Sequence, residues 1–506
     1  MALERTLSRR HFLRDFGLAV GLGVAKIGGL GGLTGCGDPR VEPNDADWDA
    51  LARLLPGRVL RQGAAGYEEI ATPWNLRWSD RPRPDGIVRA TSAEDVRTAL
   101  RWARDNGVPL VARSGGHSYA GYSTTSGLII DVSPMTDIRF DASSGRAYVQ
   151  GGARNAHVYD ALGKVNRIVT HGRCLSVGVA GLVLGGGVGF NMRRIGLTCD
   201  QLVETDVVTA DGELLTCNAN ENADLFWAAR GAGGGNFAIH TSFTFQTHDA
   251  PRLTTFNLVW RSRQEEVLRA LLDVLHAAPR ELGVKVSVTA KPLLGGAPEI
   301  AVNLLGQYAG TRQAFEELLA PVYRIARPDL RPDVEFIDEG EYWPSQSKLS
   351  ETGGREFAYE RSRYVMEPLS DAAIGEIFAQ LRVWPVTGVG AMWKGFLTGG
   401  AIRDVAPDAT AFVHRRDWLL SGTEVNWLAT DPADQVRRSM AWMDGFHAAM
   451  RPYTSDECYQ NFIDDSETNW LEAYYGKKNL ERLVEIKRKY DPRNVFHYAQ
   501  SVPLSL

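Results

Sequence analysis

Cysteine is scarce in this chain, with 5 residues among 506. The five stand at positions 36, 174, 199, 217 and 458, and none of the intervals between them has the C-x-x-C spacing of a structural zinc site. We therefore predict no metal centre and no metal ligands.

A strong charge of one sign is also missing. The formal net charge is −5 at pH 7, and acidic and basic residues are dispersed along the chain. Nucleic-acid-binding proteins typically carry a basic stripe, so we predict no nucleic-acid partner. The apolar stretch at residues 16–33 is interrupted by many glycines and is a weak candidate for a membrane span.

Length and composition are those of a globular enzyme. The chain has 44% hydrophobic and 23% charged residues, and it is too long for a single hydrophobic core. We predict two domains.

One short stretch, RSGGHSY at residues 113–119, follows an apolar run at residues 108–112. An apolar run that ends in paired glycines is typical of a strand that leads into a tight loop. Backbone N–H groups can close on an anion there, because the Cβ atoms are missing. The stretch is therefore a candidate phosphate-binding loop, although a turn that merely contains a histidine has the same pattern.

A second glycine-rich stretch, GRCLSVGVAG at residues 172–181, continues into LGGGVGF at residues 184–190. Neither stretch matches the G-x-G-x-x-G or G-x-x-x-x-G-K-[ST] fingerprints in a βαβ setting, so a classical dinucleotide fold is disfavoured. Together the stretches resemble the berberine-bridge-enzyme-like FAD-linked oxidases of the PCMH-type (vanillyl-alcohol oxidase) superfamily. The resemblance covers residues 81–247 and resumes at residues 459–503.

The resemblance implies FAD held by two covalent links, from His117 to the flavin 8α-methyl group and from Cys174 to flavin C6. It implies further contacts along the same motifs and along a third glycine run at residues 231–237. The implied cofactor-binding residues are His117, Cys174, Arg113, Ser114, Gly115, Gly116, Ser118, Val177, Gly178, Gly181, Gly185, Asn236, Ile239 and Asn461.

The resemblance also places two tyrosines, Tyr459 and Tyr119, at the reacting centre. Tyr459 begins the segment YQNF, which matches the Y-x-N-[YF] pattern of the family, and we predict that it takes the proton of a substrate hydroxyl. Flavin accepts the hydride, because no side chain can. A free tyrosine titrates near pH ~10, so this role requires a lowered pKa. A tyrosine that only packs on the flavin ring is the alternative.

Val177 lies three places after Cys174. In the family that the chain resembles, the residue at this place lies over the flavin C4a face, where leucine goes with dehydrogenases and valine with oxidases. The difference is one methylene, which matters in a close-packed site that must admit a diatomic molecule. The resemblance thus predicts that O2 reoxidises the flavin and yields hydrogen peroxide.

The N-terminus has the pattern of a targeting segment. Residues 8–13, SRRHFL, match a twin-arginine export signal, and LTGC at residues 33–36 matches a bacterial lipobox. We expect export to the periplasm or another extracytoplasmic location, with membrane contact only through a lipid on Cys36. A disordered basic start is the alternative. If Cys36 is lipidated and Cys174 holds flavin, three cysteines remain, and this odd number argues against a disulfide framework.

Regular structure is predicted around the first motif. Residues 91–94, TSAE, predict a capping box for a helix that Asn106 and Gly107 end. Strands are predicted at residues 108–112, 128–131 and 146–150, and a hairpin with an Asp-Gly turn is predicted at residues 205–212.

Between residues 251 and 456 the pattern changes to a half-exposed antiparallel sheet with helices between its strands. Its aromatic residues include Trp343, Trp384, Trp393 and Phe396, and one or two of them should line a substrate pocket. Strands are predicted at residues 256–260, 284–289, 300–305, 359–365 and 425–429, and helices at residues 263–278, 314–325 and 371–383.

These observations predict an α+β fold. A PCMH-type FAD-binding domain of two α/β subdomains would carry a substrate domain with an antiparallel sheet backed by helices. The predicted segments are 1–36 for the signal with its lipobox, 37–50 for a tether, 51–250 for the FAD-binding domain, 251–456 for the substrate domain and 457–506 for a segment that completes the FAD-binding domain.

Three functions stay open from the sequence. The first is an exported oxidase that acts on a small alcohol or carbohydrate, and the second is oxidative tailoring of a secondary metabolite on the same scaffold. The third is a flavin-bearing lipoprotein that only binds a ligand. His117, Cys174 and Tyr459 together equip a reaction, which makes the third the weakest.

Overall fold

The computed structural model describes residues 44–293, 295–325 and 331–506, which belong to one unit, Glu42–Leu506. The twin-arginine signal, the lipobox with Cys36 and residues 37–43 of the predicted tether lie outside the described residues. Residues 45–50 of the predicted tether belong to helix α1 (Asp45–Leu54), so this part of the tether prediction is wrong. Helices and mostly antiparallel sheets confirm the predicted α+β fold. Within the described ranges, no helix combines the length and the apolar character needed to cross a membrane.

The described residues form eighteen strands and thirteen α-helices. The strands are β1 (Val59–Arg61), β2 (Gly86–Arg89), β3 (Leu110–Arg113), β4 (Leu128–Asp131), β5 (Ile138–Asp141), β6 (Arg146–Gln150), β7 (Arg167–Ile168), β8 (Leu202–Thr209), β9 (Leu214–Asn218), β10 (Ala238–Gln246), β11 (His248–Asp249), β12 (Arg252–Trp260), β13 (Leu282–Lys291), β14 (Glu299–Tyr308), β15 (Val334–Glu341), β16 (Phe357–Val365), β17 (Gly390–Leu397) and β18 (Leu419–Trp427). The helices are α1 (Asp45–Leu54), α2 (Tyr67–Ala71), α3 (Ala93–Asp105), α4 (Asn155–Gly163), α5 (Val179–Leu184), α6 (Met192–Ile195), α7 (Ala223–Ala228), α8 (Gln264–His276), α9 (Arg312–Ile325), α10 (Tyr342–Leu349), α11 (Asp371–Arg382), α12 (Ala433–Met450) and α13 (Trp470–Tyr490).

The first motif follows β3, an edge strand of a four-stranded sheet with the order β1-β2-β4-β3. Strands β2, β4 and β3 are parallel, and β3 ends at Arg113, where the RSGGHSY loop begins. Helix α3 packs on this sheet through Val96 and Leu100. Its capping box lies one residue later than predicted, because Asp95 and not Glu94 bonds back to Ser92.

A five-stranded antiparallel sheet, in the order β5-β6-β10-β8-β9, carries the other glycine motifs. Helix α5 begins directly after Gly178, and β10 follows the third glycine run. The predicted hairpin is β8–β9, and Gly212 in its turn has φ +76°, a backbone conformation that favours glycine. The second and third glycine motifs therefore adjoin this sheet.

A seven-stranded antiparallel sheet occupies residues 252–427, in the order β15-β12-β14-β13-β17-β18-β16. Alternate residues of β13, which are Val284, Val286 and Val288, are buried in a core that helices α8, α11 and α12 complete. The residues between them point to the opposite face of the sheet, because side chains alternate along a strand. One face of the sheet is thus apolar and covered, and the other is free to form a pocket.

Two strands of this sheet escape prediction and one is displaced. β15 is an edge strand with four acidic residues among eight, and β17 contains two glycines and Lys394. β18 was predicted at residues 425–429, but it runs from Leu419 to Trp427 and is buried along its whole length. Gly422 and Glu424 conceal its apolar pattern, and packing on both faces overrides their weak strand propensity.

The C-terminal segment packs against the five-stranded sheet. Helix α13 is kinked at Gly476, which has φ +61°, and Leu480 and Leu483 join the core of that sheet. Lys487 Nζ is fully buried, lies 2.7 Å from Asp491 and donates to the carbonyl of Asn236 at 2.7 Å. This contact ties the end of the chain to the third glycine run. The predicted domain boundaries stay a prediction.

Candidate active site

A cavity of about 1150 Å³ is lined both by the glycine motifs and by the seven-stranded sheet. Fourteen of the sixteen predicted site residues line it: Arg113, Ser114, Gly115, Gly116, His117, Ser118, Tyr119, Cys174, Val177, Gly178, Gly181, Ile239, Tyr459 and Asn461. Residues that are far apart in sequence thus meet at one cavity.

Gly185 and Asn236 are the two predicted site residues that lie behind the cavity wall. A Cβ atom at Gly185 would stand 2.1 Å from the side-chain oxygen of Asn461, so the glycine makes room for that amide. Asn236 is buried, donates to the carbonyl of Ala232 and accepts from the N–H of Val502. Direct contact of either residue with a cofactor stays a prediction.

Two glycines bring the first and second motifs into direct contact. A Cβ atom at Gly115 would stand 2.3 Å from the backbone nitrogen of Gly178, and one at Gly178 would stand 2.4 Å from that of Gly115. The loops therefore touch backbone to backbone, which a side chain on either residue would prevent. This contact places His117 and Cys174 in one wall of the cavity.

His117 is held on two sides. Its ring stacks on Trp74, with 4.5 Å between the centroids and 26° between the planes, and its Nε2 lies 2.8 Å from Ser176 Oγ. Burial, and to a lesser extent the charge of Arg154, lower its pKa to about 3. The imidazole is therefore neutral at neutral pH and keeps a nucleophilic nitrogen.

Cys174 is a free thiol beside the same serine, with 3.7 Å between its Sγ and Ser176 Oγ. Burial raises the pKa of the thiol. A loop from the predicted substrate domain closes over it, since Leu175 N donates to the carbonyl of Glu351 at 2.9 Å. Gly353 in this loop has φ +70°, and a Cβ atom there would stand 2.1 Å from Cys174 Sγ.

Tyr459 is buried, and three N–H donors lie within hydrogen-bond distance of its phenol oxygen. The donors are the backbone N–H groups of Gly187 at 3.1 Å and Val188 at 3.2 Å, and the amide of Asn461 at 3.0 Å. Asn461 also donates to the carbonyl of Leu182, which fixes the orientation of its amide. Burial raises the pKa of Tyr459 to about 12 against the opposing effect of these donors, so the tyrosine is protonated at neutral pH.

Tyr119 lies beside a group of charged residues from three adjacent strands. Lys394 Nζ of β17 lies 2.7 Å from a carboxylate oxygen of Glu360 on β16 and 2.7 Å from one of Glu424 on β18. Burial and the carboxylate of Glu360 hold the pKa of Tyr119 well above its usual range. Tyr119 therefore keeps its proton and can act as a hydrogen-bond donor.

Lys285 of β13 extends this charged surface along the cavity. Burial lowers its pKa to about 7, and burial together with the charge of Glu424 raises the pKa of Glu356 to about 7. Burial also acts to raise the pKa of Glu424, but the ammonium group of Lys394 outweighs it and holds that pKa below its usual value. Sequence reasoning missed these charged residues, because they lie on strands without a motif or, for Glu356, directly before such a strand.

The polar side chains of the first motif brace its loop. Arg113 Nε donates to the carbonyl of Ser123 at 2.7 Å, and Ser114 Oγ donates to that of Gly151 at 2.8 Å. Ser118 Oγ accepts from the N–H of Tyr122 at 3.0 Å. Among the described residues, the buried Nη2 of Arg113 has no hydrogen-bond partner, and it can still donate one bond to an anion.

One of the four aromatic residues considered from the sequence lines the cavity. This residue is Phe396, whereas Trp384 and Trp393 are buried in the core under the seven-stranded sheet. Trp343 packs against the edge of Tyr159 instead. His171 is buried at the cavity wall, and its Nε2 lies 2.7 Å from the hydroxyl of Tyr342.

These residues fit a flavin dinucleotide. Gly181 lines the cavity, and no atom outside its own helix backbone and chain neighbours lies within 4 Å of the position of its missing Cβ, so bare backbone faces open space as a cofactor cradle requires. The unpartnered guanidinium N–H of Arg113 suits a phosphate or a ring oxygen, and the neutral imidazole of His117 suits covalent attachment.

Comparison with known proteins also indicates a flavin-binding protein. The family described as FAD binding domain matches residues 84–218, and the family described as berberine and berberine like matches residues 458–503. The FAD-linked oxidoreductase YgaK of Bacillus subtilis is 33% identical over 89% of this chain and 97% of its own length. The glucooligosaccharide oxidase of Sarocladium strictum is 32% identical over 87% of this chain and 91% of its own length.

A solved structure of a glucooligosaccharide oxidase from Acremonium strictum, described as holding a 6-S-cysteinyl, 8α-N1-histidyl FAD, superposes with a TM-score of 0.80. It is 28% identical, over 90% of this chain and 98% of its own. The matched family models, the fold and the cavity that fits a flavin all indicate the same family. The chain belongs to the berberine-bridge-enzyme-like family of FAD-dependent oxidases in the PCMH superfamily.

Proposed function

We propose that the protein oxidises a hydroxyl group of a carbohydrate, with FAD attached to both His117 and Cys174 and with O2 as the electron acceptor. The observation that carries this proposal is the cavity itself. One part of its wall presents two residues suited to covalent attachment, and another presents acidic and basic side chains from adjacent strands. The carbohydrate oxidase among the relatives supports a sugar as the substrate.

The charged face of the sheet is suited to sugar hydroxyls. Glu424 is ionised and accepts hydrogen bonds, while Lys394 and Tyr119 are protonated and donate them. FAD, when bound, accepts two electrons as a hydride. The chain has to hold the sugar carbon towards the flavin site and remove the hydroxyl proton.

Tyr459 is the proposed proton acceptor. Its oxygen receives three N–H donors, which stabilise a phenolate. Burial opposes ionisation, so the phenol must first lose its proton to solvent, and the resulting phenolate then takes the proton of the substrate hydroxyl. Glu424 lines the same cavity in its ionised form and is the alternative base.

A substrate panel tests this function. Purified protein is mixed with gluco-, xylo- and chito-oligosaccharides in air, and hydrogen peroxide is measured with a peroxidase-coupled dye. We expect peroxide with at least one sugar and yellow colour that survives acid precipitation. A His117→Ala, Cys174→Ala double variant is the control and should lose all acid-stable flavin. Absence of peroxide with every sugar would reject the carbohydrate assignment.

Export is a further part of the proposal, and it rests on residues 8–13 and 33–36. Replacing Arg9 and Arg10 by lysine should retain the protein in the cytoplasm, because twin-arginine recognition reads the guanidinium pair and not charge alone. Labelling with a fatty-acid probe tests Cys36. An unlabelled, exported protein would reject the lipid anchor and leave export standing.

A further inference from the structure

Ser176 lies between the two residues that are proposed to hold the flavin. Its Oγ lies 2.8 Å from His117 Nε2, 3.7 Å from Cys174 Sγ and 2.7 Å from the carbonyl oxygen of Gly353. One hydroxyl therefore contacts the imidazole, the thiol and the loop that closes over them. The sequence motif did not single it out.

The directions of these bonds follow from the number of protons. A serine hydroxyl has one hydrogen and two lone pairs, and the carbonyl of Gly353 can only accept. The Ser176 hydrogen is therefore directed to Gly353, and Oγ accepts from its other two neighbours. His117 must then carry its hydrogen on Nε2, which leaves the lone pair on Nδ1.

Two further contacts keep this arrangement in place. Trp74 stacks on the His117 ring and its indole N–H donates to the same Gly353 carbonyl at 3.3 Å. The imidazole is thus fixed in its plane by the stack and in its tautomer by the serine. Fixing one ring nitrogen in this way determines which nitrogen can attack, as it does for metal-binding histidines.

We propose that Ser176 is a positioning residue for both covalent links. It selects the His117 tautomer with a nucleophilic Nδ1, and it orients the Cys174 S–H bond by accepting its hydrogen. This inference rests on the proposed attachment of FAD at His117 and Cys174.

The bond changes balance for each link. One C–H bond of the flavin ring system and one N–H or S–H bond of the protein are replaced by a C–N or C–S bond. Dioxygen takes the two hydrogens with their electrons and leaves as hydrogen peroxide.

The test separates the two links. Cys174→Ala leaves only the histidine link, and His117→Ala leaves only the cysteine link. Into each single-link background we introduce Ser176→Thr or Ser176→Val, which have nearly the same shape and differ in the hydroxyl. The readout is the fraction of bound flavin that remains with the full-length protein after acid precipitation.

We expect each Ser176→Thr variant to keep most of the covalent flavin of its single-link background. In both backgrounds, the Ser176→Val variant should retain at least fivefold less covalent flavin than the Ser176→Thr variant. Total flavin bound before precipitation serves as the folding control. If a valine variant does not bind flavin, Ser176→Ala replaces it in the comparison. Equal covalent fractions in the hydroxyl-bearing and hydroxyl-free variants would overturn the inference.

The outcome for the single-link backgrounds distinguishes this inference from the function on which it rests. If both backgrounds with Ser176 intact release all flavin on acid precipitation, the proposed attachment is wrong and the inference falls with it. If they retain flavin and the Ser176 variants match them, only the role of Ser176 is wrong.

A second, independent observation concerns His414, Asp417 and Glu457. One nitrogen of His414 and one oxygen from each carboxylate all lie within 4.8 Å of one another, with His414 Nδ1 2.6 Å from Glu457 Oε2. His414 Nε2 and both oxygens of Asp417 are buried and have no hydrogen-bond partner among the described residues. Unpaired buried groups of this kind are costly.

We infer that this cluster binds a divalent cation of the Zn²⁺ class. Imidazole nitrogen and carboxylate oxygens are common zinc ligands, and a cation of charge +2 balances the two carboxylates. Glu457 precedes Tyr459 by two residues, and its carbonyl accepts from the N–H of Tyr364 on β16 at 3.1 Å. The ion would therefore anchor the segment that carries Tyr459.

Metal analysis by mass spectrometry tests this site. After dialysis against Zn²⁺ and then buffer, we expect one zinc per full-length chain and a lower unfolding temperature once a chelator removes it. Asp417→Asn should lose the zinc, and Asp434→Asn, at an exposed carboxylate, should keep it. A wild-type protein that retains no zinc and whose unfolding temperature does not change with the chelator would overturn the inference. In that case a proton or a water molecule would satisfy the unpaired groups of the cluster.

Discussion

Gly353→Ala is predicted to break the cysteine link and to weaken the histidine link. Gly353 has φ +70°, and its new methyl group would stand 2.1 Å from Cys174 Sγ and 2.3 Å from Ser176 Oγ, but 3.5 Å from His117 Cε1. The left-handed conformation costs a residue with a Cβ atom about 1–2 kcal/mol, and overpacking costs about 1–3 kcal/mol. The sum of about 2–5 kcal/mol is large enough to displace the thiol.

The adjacent residue supplies the control. Gly354 is exposed, has no positive φ and has no atom within 4 Å of the position of an added Cβ, so Gly354→Ala should leave both links and the stability unchanged. Peptide mass spectrometry after digestion measures each link, and thermal unfolding measures stability. We expect Gly353→Ala to lose most of the Cys174 adduct and, because its methyl group also displaces Ser176 Oγ, to lower the His117 adduct. Equal adducts and equal unfolding temperatures for the two variants would refute the reasoning.

Three further outcomes are expected. Tyr459→Phe should lower turnover ~10²–10⁴-fold with little change in KM, as loss of a general base does; a loss below tenfold would shift the role to Glu424, which Glu424→Gln tests. Val177→Leu should slow reoxidation by O2 in stopped-flow traces without slowing reduction by the sugar, and unchanged reoxidation would reject a gating role for this cavity residue. Burial lowers the pKa of His240 to about 3, so the unfolded state binds a proton below about pH 6.5 that the folded state does not. The unfolding free energy should therefore fall by about 1.4 kcal/mol per pH unit from pH 6.5 towards 3 through this residue, and His240→Gln should reduce that slope in urea titrations.

The cofactor side of the site could be predicted because its residues are local in sequence. His117 and Cys174 each stand in a short glycine motif. Such motifs can be recognised in a sequence, because the backbone of a tight loop requires glycine at fixed positions. Their shared wall depends on a contact between Gly115 and Gly178, which no local pattern indicates. The family resemblance supplied that pairing.

The substrate side could not be predicted, since its chemistry depends on strand register. Lys394 is opposite Ser287 on β13 and Gly422 on β18, and Glu424 is opposite Glu360 on β16. Charged residues are depleted in strands, so a sequence pattern that contains one does not predict a buried strand. The lowered pKa that a base role of Tyr459 requires is not found in the structure, because burial outweighs the donors around its oxygen.

The charged face of the seven-stranded sheet has a consequence for how such an enzyme can diverge. Lys285, Lys394 and Glu424 are side chains on adjacent strands whose backbones are held by the ladder, so exchanging one leaves the sheet intact. The motif loops touch through backbone atoms and tolerate almost no substitution at Gly115 or Gly178. Substrate preference is therefore free to drift by single substitutions while flavin binding is inherited unchanged, and a library restricted to the cavity-facing positions of β13, β17 and β18 should yield new sugar specificities without loss of flavin.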